Sequence, residues 1–154
     1  MTTKIKALSC VSVLACCTAF AFAAGAQEQG PAPVRMDEEK MAGLDLTPVG
    51  GGAYEDILVE GELKFRVATL FAGKELRVSV FESTPAKTDH RTRPLDVDEF
   101  VLVLSGKLIL TEQDGTRHEF VPGDTVVLPL GYTGTWEMQG NYRELAITAV
   151  RPRQ

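Results

Sequence analysis

The sequence predicts an all-β fold, a small antiparallel barrel or sandwich, and three observations carry that prediction. Between Glu99 and Met138, short apolar runs are punctuated about every 8–10 residues by turn signals: Ser105-Gly106, Asp114-Gly115, Pro122-Gly123-Asp124 and Pro129-x-Gly131. Upstream, Glu75–Glu82 alternates, with Leu76, Val78 and Val80 on one face and Arg77, Ser79 and Phe81 on the other. Lastly, Phe100–Leu104, Leu108–Leu110 and Val126–Leu128 are near-continuous apolar runs, as in strands that are buried on both sides or curled into a barrel.

The elements follow in order. Residues 1–26 have a basic start (Lys4, Lys6), an apolar run from Ala7 to Ala24 and small residues ending at Ala26. This is the layout of a secretory signal peptide cut before Gln27. Two alternatives share the segment: a retained N-terminal anchor, and a lipoprotein box Val13-Leu14-Ala15-Cys16 with Cys16 acylated. The residues after Cys16 stay apolar up to Gly25, which favours the cleaved, unanchored product. All three cysteines (Cys10, Cys16, Cys17) lie in this segment, so the chain after Ala26 has no disulfide and no thiolate. Residues 27–52 are rich in Gly, Pro and charge. They read as a flexible linker or N-terminal arm, with a helical turn around Asp37–Ala42. Residues 53–150 are the domain. Strands are expected over Ile57–Glu60, Leu63–Phe71 and Glu75–Glu82, then a polar loop over Ser83–Asp96, the Glu99–Met138 hairpins, and a closing strand Leu145–Val150. Residues 151–154 are a tail.

The net charge is −5, and loss of the leader takes two lysines and no acid, leaving −7. An acidic domain with no basic run lacks the footprint of a nucleic-acid binder. Once the leader is gone it also has no electrostatic pull toward an anionic membrane. The expectation is a secreted, periplasmic protein with a small-molecule or protein partner, the lipid anchor at Cys16 being the alternative location.

The turn residues resemble a known pattern. The first cupin motif has two histidines one residue apart, three or four residues, a glutamate, six residues and a glycine; Glu99 and Gly106 stand at that last separation. The second has a glycine, five residues, Pro-x-Gly, two residues, a histidine, and an asparagine four positions on. Gly123, Pro129 and Gly131 match it, with Asp124 after Gly123. The chain thus resembles a cupin over residues 53–150. Its Gly131–Glu137 run, which includes Gly134-Thr135-Trp136, is similar to the branch of ureidoglycine aminohydrolase-like and ethanolamine-utilisation-related cupins. The resemblance implies a single RmlC-like jelly-roll barrel, a double-stranded β-helix. It also implies a homodimer, since cupins of this size commonly pair sheets.

The departures from the pattern bear on chemistry. The first-motif histidine positions hold Arg93 and Leu95 (Thr92 and Pro94 with the longer spacing), the second-motif histidine is Gly134, and the asparagine is Met138. Of the usual ligands only Glu99 remains, too few donors for a divalent metal. No cofactor is therefore expected; the alternative is a divalent metal at a non-standard site with His90 and Glu99. If position 134 faces inward, Tyr132, Trp136 and Met138 share its face. The barrel mouth then presents Glu99, Tyr132 and Trp136, with Arg91 or Arg93 entering from the loop and Met138 completing the ligand-binding set. Aromatic walls with a few polar groups suit a small-ligand pocket, although plain core filling accounts for Trp136 and Tyr132 equally well. Glu99 either pairs with Arg91 or Arg93 and stays ionised, or stands in apolar surroundings with a raised pKa as an acid or base. His90 reads as a loop residue and His118 as a surface one, while Arg66, Arg77, Glu82 and Glu112 read as solvated. The preferred function is binding of a small polar molecule. The alternative is an aminohydrolase- or isomerase-like enzyme with Glu99 as acid/base and Tyr132 or an arginine positioning the substrate.

Overall fold

The computed structural model describes residues 31–50, 52 and 54–150. The expected leader over 1–26 with Cys16, the first linker residues and the 151–154 tail lie outside the described residues. In chain order the described elements are a short helix α1 (Glu38–Met41) and the strands β1 (Thr47–Pro48), β2 (Leu58–Gly61), β3 (Phe65–Ala72), β4 (Leu76–Ser83), β5 (Ala86–Asp89), β6 (Glu99–Thr111), β7 (Arg117–Phe120), β8 (Thr125–Leu128) and β9 (Thr135–Ala149).

β6 and β9 form the spine, pairing antiparallel along almost their whole length. The first half of β6 with the second half of β9 carries β8 on one side and β4, β3 and β1 on the other. The remaining halves carry β7 on one side and β5 and β2 on the other. Gly106 is where the spine turns from one half to the other. Its φ is +71°, and an added Cβ would stand 2.6 Å from the Gln139 carbonyl and 2.7 Å from Tyr142 Cα, so only glycine lets β9 approach. Register shifts on both sides of Ser105 insert a residue and flip the inward parity. Val101 and Val103 face in before the bulge, and Leu108 and Leu110 face in after it. The core joins these to Ala86, Leu128, Trp136, Met138 and Tyr142, so both halves of the sheet close over one interior. Each fully buried aliphatic side chain there, Leu108 among them, contributes roughly 1.5–3 kcal/mol.

A second, smaller core lies on the outer face of β3 and β4. Leu46 packs there with Ala68 and Val80, flanked by Met41, Leu104 and Leu145. Asp37 caps α1 by accepting from the Lys40 amide at 3.1 Å, and β1 pairs with β3 at Thr47↔Val67. Of the two readings of residues 27–52, the arm therefore describes residues 37–48, because Leu46 and Met41 have an apolar face to cover.

Four local expectations are corrected. Ser105-Gly106 is a bulge inside one continuous strand rather than a turn, because the spine must cross both halves without breaking its pairing. The polar stretch after Ser83 contains β5, which pairs with β9 at Thr88↔Trp136; lysine and aspartate at alternate positions disguised it. Val127 is 65% exposed, because β8 is an edge strand with a wet outer face. Glu82 is held by Arg143 Nη2 at 2.8 Å and Arg66 Nε at 3.0 Å, and is not a free surface acid. Burial raises its pKa, but the bonds from the two arginines outweigh that and hold it below the ordinary value.

Candidate functional site

Alternation along β9 carries Trp136 and Met138, and beyond Gly140 also Tyr142 and Glu144, to the inner face, where all four are buried. Glu99 opens β6 on the same side. The register sets Glu99 opposite Thr148 and Val103 opposite Glu144, so the two carboxyls rise from adjacent strands four positions apart. They meet a cavity of 220 Å³, whose walls also include Tyr54, Phe65, Phe81, Thr88, His90 and Leu95. The cavity shares Tyr54, Phe81, His90, Leu95 and Glu99 with a wider groove that adds Arg93 and Asp96. A separate depression of 510 Å³ lies between the arm and the start of β3. Its Lys64 and Glu62 are exposed and paired with each other, and neither buried carboxyl reaches it.

The two carboxyls lack counter-charges. Among the described residues, neither Glu99 nor Glu144 forms an ion pair. Burial, with a smaller push from Asp96, raises the Glu99 carboxyl to about 7. Burial, with the Glu99 charge adding to it, raises Glu144 to about 8, although the Tyr142 hydroxyl donates a hydrogen bond to it. The same burial and the Glu144 charge push the Tyr142 phenol up. At neutral pH, Glu144 is mostly protonated and Glu99 is near half-titration.

His90 is fixed by two contacts. Its Nδ1 stands 3.3 Å from the Arg93 carbonyl, which can only accept, so Nδ1 carries the proton. Its Nε2 then accepts from the Thr88 hydroxyl at 3.3 Å. Burial lowers its pKa, which keeps the ring neutral, and it packs on Trp136 with ring centroids 5.4 Å apart. The Trp136 Nε1 donor is buried without a protein partner among the described residues.

The residues expected at the site divide. Glu99, Trp136, Met138 and His90 line the cavity together. His90, read as a loop residue, is only 7% exposed, because β5 runs directly into it and its amide bonds the Gly134 carbonyl at 2.8 Å. Arg93 lines the outer groove, 3.0 Å from an Asp56 carboxylate oxygen and 5.1 Å from the Tyr54 ring centroid. Arg91 turns to Asp89, which it pulls down to about 2. Tyr132 packs against the core from another side and does not line the cavity. His118 sits on the surface, 3.4 Å from Glu112. Sequence reasoning missed Glu144, Tyr142, Thr88, Phe81 and Tyr54. Extending the alternation of Trp136 and Met138 through Gly140 would have put Tyr142 and Glu144 inside.

Comparison with known proteins places this geometry. The family model of the EutQ-like cupin domain matches residues 70–144. A Pseudomonas syringae protein of unknown function superposes with a TM-score of 0.58 at 26% identity, over 67% of this chain and 43% of its own. This chain thus spans less than half the length of that relative. The putative ethanolamine utilisation protein EutQ from Salmonella typhimurium gives 0.51 at 17% identity, over 68% of this chain and 94% of its own. KdgF from a Halomonas species gives 0.50 at 15% identity, over 62% and 88%. Among curated proteins none matches. The domain is a cupin.

In this cupin the place of the second-motif histidine side chain is already occupied. A Cβ added at Gly134, where the second-motif histidine would stand, meets the Tyr132 hydroxyl at 2.4 Å and the Thr111 carbonyl at 2.7 Å. Among the described residues, no group of three or more His, Cys, Asp or Glu side chains could hold a metal ion. Both His90 ring nitrogens are already engaged. The residues present do not fit the family's metal.

Proposed function

We propose that this cupin binds a small polar molecule in the cavity between Glu99, Glu144 and Trp136, without the metal usual in its family. The observation that carries the reading is the convergence, in one aromatic-walled space of 220 Å³, of two carboxyls that no described basic side chain neutralises. Groups of this kind are costly to bury unsatisfied, and a ligand that pairs with them recovers the cost as affinity. The reading includes export, with Gln27 as the mature N-terminus, which mass spectrometry of the secreted fraction checks.

A thermal-shift and fluorescence screen of small acids, amines and sugars tests it, because Trp136 is the sole tryptophan and reports from the cavity wall. Hits that shift Trp136 emission and vanish in Trp136→Ala support the reading; hits that persist in that variant place the ligand elsewhere. Stoichiometric Mn, Fe, Ni or Zn in the purified protein, lost with Glu99→Ala, would overturn the metal-free part. A second reading, catalysis with Glu99 as acid/base, is favoured by one observation: a carboxyl raised to about 7 can both give and take a proton near neutral pH. It requires turnover whose pH profile loses its limb near pH 7 in Glu99→Gln.

A further inference from the structure

We propose that the cavity takes a small organic ammonium ion, held between the Glu99 and Glu144 carboxyls and the aromatic rings. This narrows the small-molecule reading above and rests on it. Tyr54, Phe65, Phe81 and Trp136 supply ring surface on several sides of the space, and ring faces attract cations, most strongly where water is excluded. Among the described lining residues the carboxyls supply the only formal charge, and no described basic side chain neutralises either. An anionic ligand would stand against both acids. A neutral one would leave their charge uncompensated whenever they ionise.

The surrounding charges agree. From the segment before β2 come the Tyr54 phenol, raised by burial, and Asp56. From the loop after β5 come His90, neutral and donating through Nδ1, then Arg93 and Asp96. Two described arginines line the outer groove and neither lines the cavity: Arg77 of β4, and Arg93, which is joined to Asp56 and stacked on Tyr54. From β9 come Tyr142 and Glu144, joined by their hydrogen bond. The described lining of the cavity is therefore acidic, with the cations kept to the groove outside it.

The test titrates the whole protein with propylammonium, n-butanol and butyrate, three probes of similar size and different charge, following Trp136 emission. Propylammonium should bind at least tenfold tighter than the other two. Glu99→Gln and Glu144→Gln, shown folded by circular dichroism, should each weaken it at least tenfold. If butyrate or n-butanol binds as well as propylammonium, the ammonium class is wrong and the pocket stands. If all three fail while another compound from the screen binds at Trp136, only the class falls; if nothing binds at Trp136, the binding reading falls with it.

Discussion

Glu144→Gln should stabilise the protein above neutral pH, by an amount set by the cost of ionising a carboxyl inside the barrel. Glu144 is 6% exposed and accepts from the Tyr142 hydroxyl, an interaction that the glutamine carbonyl can keep. Its carboxyl titrates at about 8 in the folded chain, against an ordinary value of 4.5. Between those values the native state holds a proton that the unfolded chain has released, so stability falls as pH rises through the window and the loss is complete above about 8. At 1.36 kcal/mol per pKa unit the full loss is roughly 5 kcal/mol, a large part of the ~5–15 kcal/mol that holds a domain together. Urea unfolding followed by Trp136 emission and circular dichroism, from about pH 5 to about pH 9, measures it. The two proteins should be nearly equal at the acid end, with the variant several kcal/mol more stable at the alkaline end. Since the Glu99 charge is part of the shift, Glu99→Gln should move the remaining wild-type loss to lower pH. Parallel curves for wild type and Glu144→Gln would refute the reasoning, for Glu144 would then already be compensated.

Gly106→Ala should cost roughly 3 kcal/mol or more, from left-handed strain plus a backbone collision with Gln139 and Tyr142. Gly115→Ala, with φ +88° and nothing within 4 Å of the added Cβ, should cost only ~1–2 kcal/mol; melting temperatures compare the two. Glu82→Ala removes the acid shared by Arg66 and Arg143 and should cost roughly 2–3 kcal/mol, with faster proteolysis of the 37–50 arm, whose Gly43 carbonyl lies 3.5 Å from Arg66. Trp136→Phe keeps a ring in the core and should cost under ~1.5 kcal/mol, while any ligand that accepts from Nε1 weakens about tenfold, loss of one hydrogen bond being worth ~1–1.5 kcal/mol.

What the sequence shows of this protein follows the reach of each signal. Strand-forming runs and the glycine–proline frame are local, and they carried the fold: Glu99, Gly106, Gly123, Pro129 and Gly131 hold the spacing that a turn or a bulge demands whatever fills the barrel. Parity arguments are good only while a strand is unbroken. Trp136 and Met138 face inward as expected because they lie five and seven residues after Gly131, within the first unbroken stretch of β9. Glu144 was missed because it falls between the hairpin run ending at Met138 and the closing strand expected from Leu145, whereas one strand runs from Thr135 to Ala149. Arg91 shows the opposite failure. Its place in the loop suggested the barrel mouth, but Asp89, two residues back, is nearer than any cavity group and takes the charge.

The departure from the family's ligand pattern is a change of shape as much as of ligands. Restoring a histidine at position 134 would require Tyr132 to leave and the Thr111 carbonyl to give way, and the latter belongs to the β6 backbone. A tyrosine can swing aside; a paired strand cannot move without disturbing its partner. The second-motif ligand is thus excluded by the backbone. The first-motif positions offer no ligand for a different reason: Arg93 is committed outward to Asp56, and Leu95 lines the cavity with an aliphatic side chain while its amide bonds the Tyr132 carbonyl. Glu99 alone keeps its family place, and under the metal-free reading proposed above the carboxyl must find either a proton or a cation. Its titration near 7 and the second acid on β9 mean that both outcomes lie within reach at ordinary pH, and which one prevails is decided by what enters the cavity.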